Sequence, residues 1–233
     1  MPWFRRFKHA APASLAFILL AGAATSLQAQ GSSPGSTALN FLFGAGVHLS
    51  KSADATPAPL ETHSVLTSGD RIKFFLEPAS EAYFYLFHLD PHGGLSLLFP
   101  LDLNHSQTPA GQPLYVPKGS LWFELDAAGG IEKFFFLASQ DRLAKLEELA
   151  ARHATLKGSA EAPASAKALL EEISRLNKRH RSLAAPAEKP VRIAGKFRAP
   201  LSADPAVLPD ITPFAKEITA QGFYSKTFTI DHR

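Results

Sequence analysis

A chain of 233 residues that is 45% hydrophobic and 19% charged can fold around a sizeable core, which excludes a largely disordered protein. It has no cysteine, which excludes disulfides, thiol catalysis and zinc–thiolate centres. The formal net charge of +3 resides in Arg5, Arg6 and Lys8; beyond residue 29 cations and acids balance at 21 each, so no basic field argues for nucleic acid.

Those three cations lie in the opening MPWFRRFKHA, an apolar run follows from Ala13 to Ala24, and TSLQA ends at Ala29. A basic start, a short apolar stretch and a small residue at the cut predict a secretory signal peptide over 1–29. The run is too short for a permanent bilayer helix. The expected location is periplasmic or secreted, with no permanent membrane span after cleavage. QGSSPGST, residues 30–37, reads as a linker.

Period-two patterning then predicts a β-rich domain over 38–140. Leu39, Phe41, Phe43, Ala45 and Val47 share one parity of the first strand. RIKFFLEP follows a Gly69-Asp70 turn, with Ile72, Phe74 and Leu76 on one face. AYFYLFHL is apolar on both faces, which predicts a central strand covered on two sides. DPHGG has Pro91 where a type I turn wants fixed φ, and Gly93 or Gly94 for positive φ, so LSLLFP returns as a hairpin with Leu95, Leu97 and Phe99 on one face. LDLNHSQTPAGQP reads as a loop, LYVP as a short strand, SLWFELD as an alternating strand, and IEKFFFLAS as a strongly apolar one.

At Asp141 the period changes. Leu143, Leu146, Leu149, Ala150, His153 and Leu156 recur at spacings of three and four, as do Leu169, Leu170, Ile173, Leu176 and Leu183. A helical hairpin is expected over 141–183, with Asp141–Lys145 and Glu148–Arg152 as i,i+4 pairs. Residues 184–222 read as Pro-rich and irregular, and 223–232 as a final strand returning to the sheet. The fold class is thus mainly β: an antiparallel β-sandwich-like domain with an inserted or appended α-helical hairpin.

The blocks LTSGDRIKFFLEP, AYFYLFHLDPHGGLSLLFP, AGQPLYVP and WFELDAAGGIEKFFFLASQDRL, from Leu66 to Arg142, resemble the bacterial DUF4384 family of unknown function. The resemblance covers about a third of the chain. It implies a compact β-structure of envelope or multidomain proteins with a non-catalytic accessory or recognition role, and it transfers no catalytic residue. The kinase, protease and pore-forming domains that accompany many relatives are not recognisable in this chain.

No GxxxxGK[ST] or HExxH motif occurs. His88, His92 and His105 gather near one end of the domain, but their spacing is not that of ligands, so turn and surface roles are the ordinary explanation and no cofactor or metal is expected. Glu124 and Asp126 share a strand face, where carboxylates serve acid–base chemistry or, more commonly, solvation. Arg175, Lys178, Arg179 and Arg181 cluster near a helix C-terminus, where they complement the dipole and are the one basic patch able to meet an acidic partner. Tyr83, Tyr85, Trp122 and Tyr224 are candidates for a sugar-binding face or for core. His92, Gly93, Gly94, His105, Trp122 and the four cations form the candidate interaction surface, with the loop 101–113 as a presented end. The expected function is non-catalytic recognition of an envelope protein. Binding of carbohydrate or peptidoglycan is the alternative, and a hydrolase of unfamiliar type the third reading.

Overall fold

The phenylalanine-rich stretches bury alternate residues and so assemble two sheets. The structure, a computed structural model, describes residues 38–52, 56–181, 186–190 and 210–233. The expected leader, the linker and Leu183 lie outside these residues. In chain order the elements are β1 (Ala38–His48), β2 (Ala58–Pro59), β3 (Ser64–Leu66), β4 (Arg71–Pro78), β5 (Ala82–Leu89), β6 (Leu95–Phe99), β7 (Gln107–Thr108), β8 (Leu114–Val116), β9 (Phe123–Glu124), β10 (Gly130–Ser139), α1 (Ala144–Thr155), α2 (Ala162–His180), β11 (Ala187–Pro190), β12 (Lys216–Gln221) and β13 (Phe223–His232).

One sheet runs β11–β12–β1–β4–β8, with β2 beside β1 and β9 beside β4. The other runs β3–β13–β10–β5–β6, with β7 beside β5. All pairings are antiparallel except β3 with β13. The chain is a mainly β sandwich with an inserted helical hairpin, as the two periodicities predict.

The main core lies between the sheets, where Phe41, Phe43 and Phe74 meet Phe84, Phe134, Phe136 and Phe228. Phe43 stacks on Phe136 at 4.0 Å between centroids, and Phe41 meets Phe84 edge-on at 5.3 Å, geometries that add to simple area burial. The opposite face of β5 and β10 buries Tyr85, Phe87 and Leu137 against Leu146, Leu169, Ile173 and Leu176 of the helices. This is why AYFYLFHL is apolar on both faces. Tyr83 is half-buried under the same layer, and Tyr224 lies in the main core, so neither is part of a sugar-binding surface.

Glu147 of α1 fastens the helices to the sheet. Its carboxylate accepts from the Tyr85 hydroxyl at 2.7 Å and from Arg142 Nε at 2.6 Å. Burial, then the hydrogen bond to Glu147, pushes the Tyr85 phenol far above its ordinary range. His153 closes the other end, donating from Nε2 to the Leu95 carbonyl at 2.9 Å.

Four expectations are corrected. Residues 184–222 contain two strands, β11 and β12, which extend the first sheet beyond β1. Only Ile218 and Ala220 of β12 turn inward, too sparse an apolar pattern to stand out among prolines. Phe99 does not share a face with Leu95 and Leu97. A bulge opposite Leu86/Phe87 sets Leu86 against Phe99 and Phe87 against Leu97, so Phe99 joins the inter-sheet core while Leu97 packs under the helices. The strand expected in SLWFELD is ordered as ladder only at Phe123–Glu124, and Leu121 is exposed. Finally, Asp141 precedes α1, so Lys145 pairs instead with Glu148 at 3.0 Å.

The turn before β4 is held by a buried carboxylate. Asp70 accepts from the Thr67 N–H at 2.8 Å, the Ser50 N–H at 2.7 Å and the Ser50 hydroxyl at 2.9 Å. Burial alone would raise its pKa, but these hydrogen bonds outweigh burial and hold the carboxyl below the ordinary 3.8. A folded-state pKa below the unfolded one stabilises above the unfolded value and is lost as pH falls through the folded one. Asp70→Asn is therefore expected to cost about 1–2 kcal/mol near neutrality. The gap from wild type in urea denaturation should narrow as pH falls below 3.8; a pH-independent gap would contradict this assignment.

Candidate functional site

Two of the concave surfaces that adjoin the hairpin β5–β6 take in candidate residues. The first is a cleft of about 320 Å³ lined by His88, His92, Trp122, Glu124, Asp126 and Glu132, together with Asp90 and Phe134. It brings together five residues that the sequence offered in separate groups: His88 and His92, Glu124 and Asp126, and Trp122. Asp90 accepts from the His92 and Gly94 N–H groups, both at 2.8 Å, and Gly93 takes the positive φ of 86° that the turn requires. Asp126 accepts from the Ala128 N–H at 2.7 Å. Glu124 pairs with Arg71 at 2.9 Å, both half exposed, an ion pair of small energetic worth.

At the base of this cleft Glu132 is buried between two histidines. His88 donates from Nε2 to one carboxylate oxygen at 2.8 Å, and His232 donates from Nδ1 to the other at 2.7 Å. His88 also stacks on Phe134 at 4.6 Å. No three His, Asp or Glu side chains among the described residues form a group able to hold a metal ion.

The second surface is a groove of about 560 Å³ where the sandwich ends at its β6 and β8 edges. Its walls are Leu97 to Phe99 of β6, Leu114 to Val116 of β8, and parts of the segment 101–113, expected as loop but holding the short strand β7, including Asp102, His105 and Pro109. The lining is predominantly apolar, and Leu101 and Leu121 stand at its rim 83% and 66% exposed. His105 donates from Nδ1 to Asp102 at 2.7 Å; that bond, then the Asn104 N–H, holds the Asp102 carboxyl below its usual range.

A buried lysine fixes the loop between the two surfaces. Lys73 is 0% exposed; its Nζ donates to the carbonyls of Gly119 at 2.5 Å and Leu121 at 2.8 Å. The rings of Tyr115 and Trp122 each lie 5.5 Å from it. Burial pushes the amine pKa down. Period two places Lys73 on the outward face of β4. It is buried because Trp122, Tyr115 and the segment carrying Ile211 and Phe214 cover that face. Phe75, apolar at the same parity, is the one local sign of that cover.

The four cations lie elsewhere. Arg175 makes a two-pronged pair with Glu172 at 2.7 and 2.6 Å. Lys178, Arg179 and Arg181 are exposed at the end of α2 and make no ion pair among the described residues. Next to them His180 stacks on Phe223 at 4.3 Å, and burial followed by the charges of Arg179 and Arg175 lowers its pKa. This basic patch lines neither concave surface.

Among the described residues no helix is long and apolar enough to cross a membrane. No curated protein matches the chain. Residues 65–142, which supply every residue lining the cleft and the groove, match the family described as Domain of unknown function (DUF4384).

Proposed function

We propose that the chain is an exported recognition domain of the bacterial cell envelope that acts by protein–protein contact. Its partner presents an extended apolar segment to the groove between β6 and β8. The observation that carries this reading is the groove itself: a predominantly apolar depression of about 560 Å³ with Leu101 and Leu121 exposed at its rim. Apolar patches of this kind, rimmed by polar groups, mark contact surfaces. β6 ends its sheet, so an extended segment can add to its free edge while alternate side chains enter the groove. Contact, not turnover, is the function proposed for this surface.

The test is capture of an envelope partner by the mature chain and by a Leu101→Asp/Leu121→Asp double variant. Both side chains are exposed, so folding is expected to be unchanged within about 0.5 kcal/mol. Capture should fall at least about tenfold, because each charge would be desolvated in the contact. Undiminished capture by the folded double variant would contradict the proposal. A second reading, binding of cell-wall glycan, is supported by Trp122 and the carboxylates of the smaller cleft. Retention on peptidoglycan that Trp122→Ala abolishes would favour it over the groove.

A further inference from the structure

Glu132 and His232 lead to a third residue. His232, whose side chain is 0% exposed, presents its second ring nitrogen, Nε2, to the Ser68 hydroxyl at 3.2 Å. The order is Ser68 Oγ, His232 Nε2, His232 Nδ1, Glu132 Oε1, with His88 on the far carboxylate oxygen. Glu132 accepts from Nδ1–H, which leaves the lone pair of Nε2 facing Ser68. This is the polarity of a general base aimed at a nucleophile and oriented by a carboxylate.

The surroundings hold Ser68 in place without enclosing it. It lies at the apex of the Thr67–Asp70 turn, closed by the Asp70 N–H to the Thr67 carbonyl at 3.0 Å, with Gly69 at φ 88°. The buried Asp70 carboxylate fixes that turn from beneath through Thr67 and Ser50. The Thr67 N–H is taken by Asp70, and the Gly69 N–H by the Leu125 carbonyl. Among the described residues the Ser68 N–H donates to nothing, which leaves it for a developing oxyanion. Ser68 is exposed while its base and orienting acid are buried.

We infer that Ser68 is an activated nucleophile that accepts acyl groups from small, solvent-presented carboxylic esters, with His232 as general base and Glu132 as its positioning residue. Ser68 Oγ attacks the ester carbonyl carbon as its proton passes to His232 Nε2, and the carbonyl electron pair moves onto oxygen. Collapse breaks the bond to the alkoxy group, which leaves as an alcohol with the proton from His232. Water then attacks the acyl-serine, gives its proton to His232, and releases the carboxylic acid as Ser68 regains its hydrogen. Ser68 and His232 line neither the cleft nor the groove; the site meets the cleft only through Glu132 and His88, and it is independent of the contact function.

The test uses a fluorophosphonate probe on the full processed chain, with peptide mapping by mass spectrometry. The exposed Ser120 and Ser159 serve as internal comparators. Ser68 should be labelled at least about 100-fold faster than either, in line with base assistance. Glu132→Gln and His232→Gln, where thermal melting shows them folded, should bring Ser68 down to the comparators' rate. The same two variants should abolish p-nitrophenyl acetate turnover. Labelling of Ser68 no faster than Ser120 and Ser159 in the wild-type chain would overturn the inference, and this holds whether or not the buried variants fold. Fast labelling that survives both substitutions in folded protein would overturn it equally.

Discussion

Phe136→Ala is expected to lower the free energy of unfolding by about 3–5 kcal/mol, the range for deleting a buried aromatic ring. Phe136 is 3% exposed on β10, with β13 on one side and β5 on the other. Its ring stacks on Phe43 at 4.0 Å and lies within 5.9 to 6.2 Å of Phe41, Phe84 and Tyr224. Truncation therefore removes contacts across both sheets at once. The neighbours sit on paired strands that cannot move in to fill the space. With no disulfide to restrain the unfolded chain, little offsets the loss, and the midpoint should fall by roughly 6–20 °C at 2–4 °C per kcal/mol. Ile131→Ala on the same strand, 50% exposed, should change stability by no more than about 0.5 kcal/mol. Paired thermal melts of these two variants check the assignment; equal effects would mean that the inter-sheet core is not where period two places it.

Glu147→Ala should act on the helical layer first. The carboxylate is buried, and its removal leaves the Tyr85 hydroxyl without an acceptor inside an apolar layer. It also frees the guanidinium of Arg142, which is half exposed and can be rehydrated. The desolvated hydroxyl dominates, and the expected cost is about 2–4 kcal/mol. Glu147→Gln retains an acceptor oxygen for Tyr85 and should recover more than half of it. Hydrogen exchange followed by mass spectrometry would show protection falling first in α1 and α2 and only later in β5 and β10. Uniform loss across helices and sheets would contradict the idea that this one carboxylate fastens the hairpin.

The strands that face a single core were legible because burial acts on alternate residues. β1, β4 and β10 carry phenylalanine or aliphatic residues at that period, and β5, apolar on both faces, announced a second layer before its partner was known. The helices were legible from leucines three and four apart. What local pattern could not reveal were contacts made from far away. Lys73 looks solvent-facing on β4 and is covered by a loop and by residues more than a hundred positions later. The bulge that turns Phe99 inward adds one residue to a strand without altering composition. β11 and β12 pair with a polar face outward and so resemble loop. The site shows the same division. His88, His92, Trp122, Glu124 and Asp126 were each visible as residue types. Their convergence on one cleft, and the joining of Glu132 to histidines 44 and 100 positions away, depend on strand order. The loop 101–113 stood out by its lack of periodicity, whereas the groove beneath it depends on β6 and β8 both ending their sheets.

The proposal that the groove is a contact surface is tested most directly by a photoactivatable amino acid placed at Leu121, with a second at Arg175 on the helical layer as control. Cross-linking in intact envelopes, followed by mass spectrometry of the adduct, should join position 121 to an extended, apolar segment of one protein and leave position 175 without that partner. Equal cross-linking from both positions, or none from position 121 in folded protein, would contradict it.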